Sequence, residues 1–556
     1  MSLEPGTPIV PPSDFPVQWP DPAASRLHWT RDVSHNPGPT PPLRNPWPRH
    51  GIAYGYRYWD GPYDGIRECR INTFEYSAAV PLDASPDEFR QRAERARQRL
   101  EAMGRDLERQ WSERWFPELE ERLGVLAGFH PQGLDDGQLV DFFHTADQHG
   151  RRLWEIHFEL VFLCGYVRRQ LDELCQDLFG PDSPYTAVSL TSGEETWSVA
   201  NGRALQDLAD LARSHPAVWE AIQQGSWRDV RPRLAAAPGG PAFLTAFETF
   251  IAVHGRKLAG ELMDPTWFDD PTIPLDNLRQ LLRLDGQWGR ERRADVLAER
   301  RRLTAAAFDR LANYPGPVVD EFRSWLESAR VASRLMEDHN FYIDQQTAFY
   351  FRRLARAFAD RLTAAGTLNR PEDVAFLEAG ELVPALTGEL SEVRALVAGR
   401  QEEMRRWANY PAPMELGTVA GPPPEHPVFG RRGGAPEPPP NLSDPNRLIG
   451  QPGSRGQARG RARVIASLSE ASQLEPGDIL VTVTTSPSWA TWYPILGGLV
   501  TESGSALSHA AVVAREYGIP AVVSVSGATT RIRTGMGIDL DGTAGTVRIL
   551  DEAASR

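Results

Sequence analysis

The sequence is almost without lysine. Of its 60 lysine and arginine residues, Lys257 is the only lysine. This absence excludes a P-loop, because the GxxxxGK[ST] motif needs a lysine that reaches the nucleotide phosphates, and no such motif occurs. A kinase glycine-rich loop with its strand lysine and a GxGxxG following a strand are absent as well. If the protein uses ATP, it does so without any of these nucleotide-binding loops.

Cysteine and long apolar runs are also scarce. Cys69, Cys164 and Cys175 have neither metal-site spacing nor a disulfide framework, which fits the reducing cytosol. No apolar run approaches about 18 residues, and the N-terminus MSLEPGTPIVPPSDFP lacks the regions of a signal peptide. The formal net charge of -14 argues against a nucleic-acid binder. We therefore expect a cytoplasmic protein that binds neither membranes nor nucleic acids.

Residues 1–84 are rich in proline and aromatic side chains. Their first part is predicted to be an extended arm anchored by Trp19 and Trp29. The following stretch, GIAYGYRYWDGPYDGIRECRINTFEYSAAVPL, is aromatic and β-branched, with Asp-Gly pairs at 60–61 and 64–65. This pattern predicts a small β-hairpin region that packs on a helical domain.

Residues 85–410 have the periodicity of amphipathic helices. Ser85, Pro86 and Glu88 form the pattern of a capping box with proline in the first helical turn, so a long helix is predicted to begin here. Several further helical segments follow without a fixed-period repeat. The sequence predicts a bundle-like α-helical domain and not a solenoid.

The residue composition of the chain changes at two further points, near 411 and near 448. Residues 411–447 are dense in proline and glycine and are predicted to be a semi-extended linker. Residues 448–556 alternate strand and helix patterns, ending in a hairpin that turns at Asp541-Gly542. The predicted fold is therefore multidomain: a large, mostly α-helical domain with a small N-terminal β-hairpin region, followed by a tethered C-terminal α/β domain.

His509 stands where the loop GSAL becomes the helix HAAVVAREYG. The free N–H groups and dipole of a helix N-terminus bind anions, and Gly504 and Ser505 are small enough to let a phosphate oxygen approach the backbone. Gly518 is predicted to stop the helix. Two interpretations are open for the histidine: a capping or core residue, or a nucleophile that carries phosphate.

The stretch GGLVTESGSALSHAAVVAREYGIPAVV resembles the phosphohistidine signature of the mobile, or swivelling, domain of PEP-utilising enzymes, which include phosphoenolpyruvate synthase, pyruvate phosphate dikinase and rifampin phosphotransferase. The resemblance extends over about 448–550. It implies that His509 is the phosphorylated residue and that Gly504, Ser505 and Ser508 surround the phosphate. Ser505 and Ser524 stand where the family commonly has glycine.

The helical part resembles the substrate-binding domain of rifampin phosphotransferase and the corresponding subunits of phenylphosphate synthase and methylbenzyl phosphate synthase. The stretches FETFIAVHGRKLAGEL and MEDHNFYID carry this likeness. It implies a phosphotransferase that converts ATP, water and an acceptor to AMP, phosphate and a phosphorylated acceptor. The acceptor would be a small phenol or aromatic alcohol, such as a cresol.

In this family an ATP-grasp domain or a PEP-binding barrel loads the histidine. The residues before Ser85 are too few for an ATP-grasp fold, and the chain closes at Arg556, shortly after the mobile domain. We therefore expect a separate ATP-grasp subunit that binds ATP and most of the Mg²⁺. Two alternatives remain: a component of a rifampin-type antibiotic phosphotransferase, or a non-catalytic phosphocarrier or regulatory protein.

A base for the acceptor hydroxyl is expected in the helical domain. His339 is the first candidate, because neighbouring acidic residues can orient it. The other acceptor-site candidates are Arg334, Glu337, Asp338, His254 and Arg256. Solvated helix faces or satisfied core polar groups are the competing interpretation for each of them. No metal-ligand set is predicted; His144 and Asp147 have half of a suitable spacing, and a surface pair is the simpler interpretation.

Overall fold

The structure is a computed structural model that describes residues 4–550 apart from 34, 259–261, 285–287, 422–425, 428–443, 445 and 507. The helices are α1 (Trp47–Tyr58), α2 (Pro86–Gly104), α3 (Leu107–Arg109), α4 (Phe116–Ala127), α5 (Asp136–Phe179), α6 (Ala187–Thr191), α7 (Trp197–Arg213), α8 (Pro216–Ile222), α9 (Trp227–Ala236), α10 (Gly240–His254), α11 (Thr272–Leu282), α12 (Trp288–Leu311), α13 (Gly316–His339), α14 (Gln346–Ala364), α15 (Leu382–Thr387), α16 (Val393–Trp407), α17 (His509–Glu516) and α18 (Ala528–Arg531). The strands are β1 (Pro8–Ile9), β2 (His28–Arg31), β3 (Tyr63–Ile71), β4 (Phe74–Pro81), β5 (Glu415–Thr418), β6 (Arg447–Ile449), β7 (Gln451–Ser454), β8 (Gln457–Val464), β9 (Ile479–Thr482), β10 (Gly498–Thr501), β11 (Ala521–Val523), β12 (Gly537–Asp541) and β13 (Thr546–Ile549).

The chain divides into two compact units. The first comprises Met1–Val167 and Tyr342–Ala435, and the second comprises Arg168–Phe341 and Pro436–Arg556. The predicted helical range 85–410 contributes to both units. Among the described residues, no helix combines the length and apolar character needed to cross a membrane.

The first unit contains a sheet with strand order β1-β5-β2-β4-β3. β3 and β4 form the predicted hairpin, but its turn is at Asn72 and Thr73, where both residues have positive φ as a two-residue hairpin turn requires. Of the turns expected at the two Asp-Gly pairs, the one at 64–65 is wrong, because these residues lie in β3, whereas Asp60 has φ +51° and lies in a turn that joins a helix to a strand. Residues 60–61 directly follow α1, and the register of β3 shifts between Tyr63 and Gly65.

The aromatic stretch before β3 is helical, which corrects the expectation of a strand. Gly51 and Gly55 lie one turn apart on α1 and face α5. A Cβ at Gly51 would overlap the Trp154 carbonyl, and one at Gly55 would lie 2.6 Å from the Phe158 Cβ. The two glycines therefore allow close helix packing, and this tertiary requirement outweighs the strand-like alternation of aromatic residues.

The predicted linker 411–447 begins inside the fold of the first unit. Residues Glu415–Thr418 form β5, which pairs with β1 and β2, and Leu416 is fully buried. A linker is therefore the wrong description for the start of this range, because a short strand between two partners satisfies its backbone groups. Residues 422–425, 428–443 and 445 lie outside the described residues.

Two details of the first unit confirm sequence signals. Trp29 is fully buried, and the Trp19 ring lies 6.0 Å from it, so both side chains anchor the N-terminal segment. Ser85 caps α2 in a capping box with Glu88, and Pro86 occupies the first turn. The local rules for helix starts therefore gave the right boundary.

The second unit joins helices α6–α13 to the C-terminal domain, residues 447–549 of the described chain. The C-terminal sheet has strand order β6-β13-β12-β8-β9-β10-β11-β7, with α17 between β10 and β11. β8, β9, β10 and β11 are parallel, and β12 and β13 form the predicted hairpin. One apolar core combines side chains of α7–α11 with side chains of α17 and β10. The C-terminal domain is thus docked on these helices.

Candidate functional site

The loop before α17 holds His509 at the first position of that helix. Gly504 has φ +111°, and a Cβ there would lie 2.8 Å from the Ser508 Oγ, so the position requires glycine. Ser508 precedes the helix in extended conformation, and its hydroxyl donates to the Ser505 carbonyl at 2.8 Å. The predicted start of the helix at the histidine is confirmed.

Ser524, directly after β11, forms a hydrogen bond with the loop that precedes α17. Its φ of +56° lies in the left-handed region, where a glycine is less strained. Its hydroxyl donates a hydrogen bond to the Gly504 carbonyl. The serine therefore gains a contact that the glycine expected from the family resemblance cannot make.

α17 ends as predicted. Gly518 has φ +63°, and the Ile519 N–H donates to the Ala514 carbonyl at 2.8 Å, which closes the helix. Gly518 also faces α12, because a Cβ there would lie 3.0 Å from the Val296 Cγ2. The residue both stops α17 and allows its close packing on α12.

His509 pairs with a carboxylate from α13. Its Nδ1 lies 3.2 Å from the Glu337 Oε2 and 3.3 Å from Oε1. The His509 side chain is 10% exposed and that of Glu337 is 1% exposed, so water does not screen this contact. The Ser198 hydroxyl donates to the Glu337 Oε2 at 3.2 Å. This network fixes the orientation of the imidazole.

The second imidazole nitrogen is enclosed. The His509 Nε2 is buried and has no hydrogen-bond partner among the residues that the structure describes. When the Nδ1–H donates to Glu337, the neutral ring has its lone pair on Nε2. The Tyr493 ring stands nearly perpendicular to the imidazole at 6.4 Å. In this tautomer the Nε2 lone pair is the one not engaged by Glu337.

Lys257 lies in the same electrostatic environment, although the sequence interpretation did not place it in the site. The side chain is 1% exposed, and its Nζ lies 5.1 Å from the Trp267 ring centroid. Burial lowers the pKa of this amine to about 7, and the charge of Glu337 opposes that shift. The only signal in the sequence is that Lys257 is the sole lysine in the chain.

Asp338 and Arg334 lie one helical turn apart on α13. Asp338 accepts a hydrogen bond from the Trp197 backbone N–H at 2.7 Å, and the Arg334 Nε is 3.9 Å from its Oδ2. Burial raises the pKa of Asp338 to about 6. Asp338 therefore caps the start of α7 as well as standing next to Glu337.

His339, the first candidate base, lies on another side of α13 from Glu337, because residues two apart on a helix do not share a face. Its Nδ1 is 2.9 Å from the Leu335 carbonyl, and the side chain is buried. The structure thus brings Glu337 to His509. The role of His339 as a base stays a prediction.

His254 and Arg256 lie at the end of α10 and just after it. His254 is buried against aromatic rings: Trp197 at 5.0 Å and Phe250 at 4.9 Å. Burial lowers the pKa of His254 to about 3, and the nearby Lys257 adds to this effect. His254 is therefore a neutral member of an aromatic cluster, and Arg256 is half-buried beside it.

The C-terminal domain docks on the helices through the second half of α17 and the residues after it. The Tyr517 hydroxyl donates to the Ser198 carbonyl at 3.3 Å and lies against Gly202, where a Cβ would overlap it. On α12, Arg293 donates to the Glu516 carbonyl at 3.4 Å. These contacts hold His509 against Glu337.

The residues around His509 do not form a metal centre. Among the described residues, no group of three His, Cys, Asp or Glu ligand atoms within metal-binding distance includes His509 or Glu337.

Two family descriptions match the sequence. Residues 474–545 match the PEP-utilising enzyme mobile domain, and residues 157–337 match the rifampicin phosphotransferase fourth domain. The two matches cover the helices and the docked domain that supply Glu337 and His509.

Three curated relatives show how the chain compares with longer proteins. Chondramide synthase of Chondromyces crocatus is 33% identical over 98% of this chain and 14% of the synthase. Rifampicin phosphotransferase of Streptomyces sviceus is 32% identical over 74% of this chain and 47% of the relative. An uncharacterised phosphotransferase of Bacillus subtilis is 26% identical over 75% of this chain and 49% of that protein. The chain spans about half the length of the two phosphotransferases and a small part of the synthase.

Proposed function

We propose that the chain is the acceptor-binding and phosphohistidine component of an ATP-dependent phosphotransferase. The basis is that it is a member of the PEP-utilising family and resembles rifampicin phosphotransferase. The observation that carries this proposal is the pairing of the His509 Nδ1 with Glu337 across the docked domain, which leaves Nε2 as the nucleophile. His509 receives a phosphoryl group in one step and passes it on in the next.

The transfer step needs the geometry of the docked state. The acceptor oxygen forms a bond to phosphorus while the bond from phosphorus to the His509 Nε2 breaks, and the hydroxyl proton leaves to a base. Glu337 holds the Nδ1–H, so that Nε2 departs as a neutral imidazole nitrogen. Lys257 offsets the negative charge of the phosphoryl group in a region closed to water.

A separate ATP-grasp protein loads the histidine in this proposal. Its nucleotide supplies the β-phosphoryl group, and its Mg²⁺ stays with the nucleotide. One observation in the sequence supports the division of labour: no P-loop motif occurs in it. Because Nε2 is enclosed in the docked state, the C-terminal domain must leave the helices for loading.

The acceptor is proposed to be a small phenol or aromatic alcohol. The side chains near Lys257 and Asp338 support this class, because Trp197 stacks on Phe341 at 3.8 Å and also contacts His254. Flat rings pack favourably against such a cluster. The identity to rifampicin phosphotransferase favours a second candidate, in which the acceptor is rifampicin or a similar macrocycle.

The test of the carrier role uses two phosphoryl donors. The chain is incubated with a candidate ATP-grasp protein and ATP labelled at the β-phosphate, or with phosphoramidate, a small chemical donor to histidine. We expect acid-labile label in wild type and in His215→Ala, the matched control, and none in His509→Ala. Equal labelling of the His509→Ala variant would show that the proposed carrier is wrong.

The acceptor is tested on the loaded protein. Phenol, p-cresol, benzyl alcohol and rifampicin are each added to purified phosphoprotein, and loss of label and formation of phosphate ester are followed. Transfer to a phenol supports the first candidate, and transfer to rifampicin alone supports the second. Stable label with every acceptor would favour a non-catalytic phosphocarrier.

A further inference from the structure

A cavity of about 330 Å³ lies in the second unit, where helices α6 and α12 meet the C-terminal domain. One wall comes from α6 and α12, with Val188, Val296 and Leu303. The other comes from the C-terminal domain, with Ser454 at the end of β7 and with Arg515 and Gly518 around the end of α17. The cavity size is at the lower end of the range for small-molecule sites.

Cationic side chains outnumber carboxylates in the lining: Arg292, Arg300, Arg455 and Arg515 against Asp295 and Glu299. The half-buried Arg515 donates to the Gly453 carbonyl at 2.6 Å, and the charge of the buried Arg168 disfavours its protonated form, whereas the charges of Glu516 and Glu337 favour it. Burial lowers the pKa of Arg515 to about 10, so it stays protonated at neutral pH. A half-buried guanidinium whose hydrogen bond goes to a neutral carbonyl can be compensated further by an anionic group of a ligand.

Among the other charged side chains of the lining, Arg292, Glu299 and Arg300 have partners, and Asp295 adds a second carboxylate. Arg300 pairs with Glu194 at 2.6 Å, and the Glu299 carboxylate is held by Arg302 at 2.7 Å. Arg292 donates to the Leu496 carbonyl at 3.0 Å, so its guanidinium, like that of Arg515, binds a backbone oxygen. Arg455 stands at the exposed rim, where it adds positive charge to the entrance.

The walls between these charges are apolar. The side chains of Val188, Val296 and Leu303 form a surface without hydrogen-bonding groups. A simple inorganic anion would leave this surface without a partner. A ligand with a flat apolar ring and one anionic group satisfies both parts of the cavity.

We propose that this cavity binds a phosphate ester of an aromatic or heteroaromatic ring, with the anion at Arg515 and Arg455 and the ring on Val188 and Val296. Nucleoside monophosphates and aryl phosphates share this chemistry. The proposal rests on the proposed function only for the choice of compounds to be tested: AMP and an aryl phosphate are products of the proposed reaction. The ligand contacts α12 and α17 together, so its binding stabilises the docked domain.

The experiment measures binding of AMP, phenyl phosphate, orthophosphate, adenosine and phenol to the full chain by calorimetry. We expect AMP or phenyl phosphate to bind at least tenfold more tightly than orthophosphate, and the uncharged compounds to bind more weakly still. AMP as the tighter ligand identifies a nucleotide site, and phenyl phosphate as the tighter ligand identifies an aryl phosphate site. Orthophosphate binding as tightly as both esters, or no binding of any probe, overturns the proposal.

Matched variants locate the binding. Arg455→Glu changes an exposed lining residue, Arg515→Met removes the half-buried cation, and Arg301→Glu, an exposed position on α12 outside the lining, is the control. We expect the first two to weaken ester binding at least tenfold and the control to leave it unchanged. Unchanged binding in Arg455→Glu and Arg515→Met overturns the assignment. Labelling of His509 is measured in parallel, so that failure of this site is distinguished from failure of the carrier role.

Discussion

The Nδ1 of His509 lies 3.2 Å from the Oε2 of Glu337, a residue 172 positions earlier in the chain. The two residues belong to different parts of the second unit: His509 begins α17 of the C-terminal domain, and Glu337 is on α13. Their contact exists only when the C-terminal domain is docked. It therefore links the position of the domain to the tautomer of the histidine.

The first prediction concerns this contact. Glu337→Gln keeps the size of the side chain but removes its charge, so it no longer favours a proton on Nδ1, which lets Nε2 leave as a neutral imidazole nitrogen. We expect transfer to the acceptor to fall by about 10²-fold or more, whereas loading of His509 continues. Transfer and loading are measured separately on the labelled protein.

The position of the phosphate gives a readout that a purely structural role of Glu337 would not change. Phosphorus NMR of denatured, labelled protein distinguishes phosphate on Nε2 from phosphate on Nδ1. We expect Nε2 in wild type and a mixture in Glu337→Ala. Glu327→Gln, exposed on the same helix, serves as control. If Glu337→Gln transfers as fast as Glu327→Gln, the positioning role is refuted.

The second prediction uses the sole lysine. The pKa of Lys257 is lowered from 10.5 to about 7 in the folded protein, because burial disfavours the charged amine. Between pH 7 and 10.5 the unfolded chain holds this proton and the folded chain does not. The free energy of unfolding of wild type therefore rises with pH, relative to Lys257→Met, by up to about 1.4 kcal/mol per pH unit.

Urea unfolding at pH 7, 8 and 9 measures this difference. Arg301→Met, an exposed substitution, is the control and should show a constant offset from wild type at all three values. A constant offset for Lys257→Met as well would mean that the lysine is protonated throughout. In that case the positive charge that Lys257 is proposed to place near the phosphoryl group would not depend on pH in this range.

The third prediction concerns Ser524, which has a left-handed backbone and donates to the Gly504 carbonyl. Ser524→Gly loses the hydrogen bond, worth about 1 kcal/mol, but relieves backbone strain of similar size, so its free energy of unfolding should stay near that of wild type. Ser524→Ala keeps the strain and loses the bond. We expect it to be less stable by about 1 kcal/mol in urea unfolding, and equal stability of the two variants would contradict this account.

Local patterns predicted much of the C-terminal domain and only part of the N-terminal region. The loop, the helix start at His509, the stop at Gly518 and the turn at Asp541 each follow from short-range rules, and all four are found. The stretch at Gly51 and Gly55 was misread, because the spacing of its glycines serves packing against α5, which lies far along the chain. β5 was missed because its pairing partners are about 390 residues away.

The candidate site also contains one residue that local sequence signals identify and others that depend on the tertiary fold. His509 was identified from its surroundings in sequence, and Glu337 was only one of several polar candidates on α13. No local rule selects Glu337 over His339, because the choice depends on which face of α13 meets the docked domain. Lys257 was noticed for its rarity, but its burial beside Glu337 depends on the tertiary fold.

The last prediction tests docking itself through Gly202. A Cβ at this position of α7 would overlap the Tyr517 hydroxyl, so Gly202→Ala should push the C-terminal domain away from the helices. We expect faster hydrogen exchange in α17 and at least tenfold slower transfer to the acceptor, with loading of His509 unchanged or faster because its Nε2 becomes accessible. Gly165→Ala, at a helical glycine with open space around it, is the control.

A second substitution makes this prediction specific to one contact. Tyr517→Phe removes the hydroxyl that a Cβ at position 202 would meet, at the cost of its hydrogen bond to the Ser198 carbonyl. The double variant Gly202→Ala with Tyr517→Phe should therefore recover most of the protection of α17 and most of the transfer rate. If the double variant is no better than Gly202→Ala, the loss comes from α7 itself. If Gly202→Ala keeps full protection and full transfer, the docked contact is not needed for the reaction.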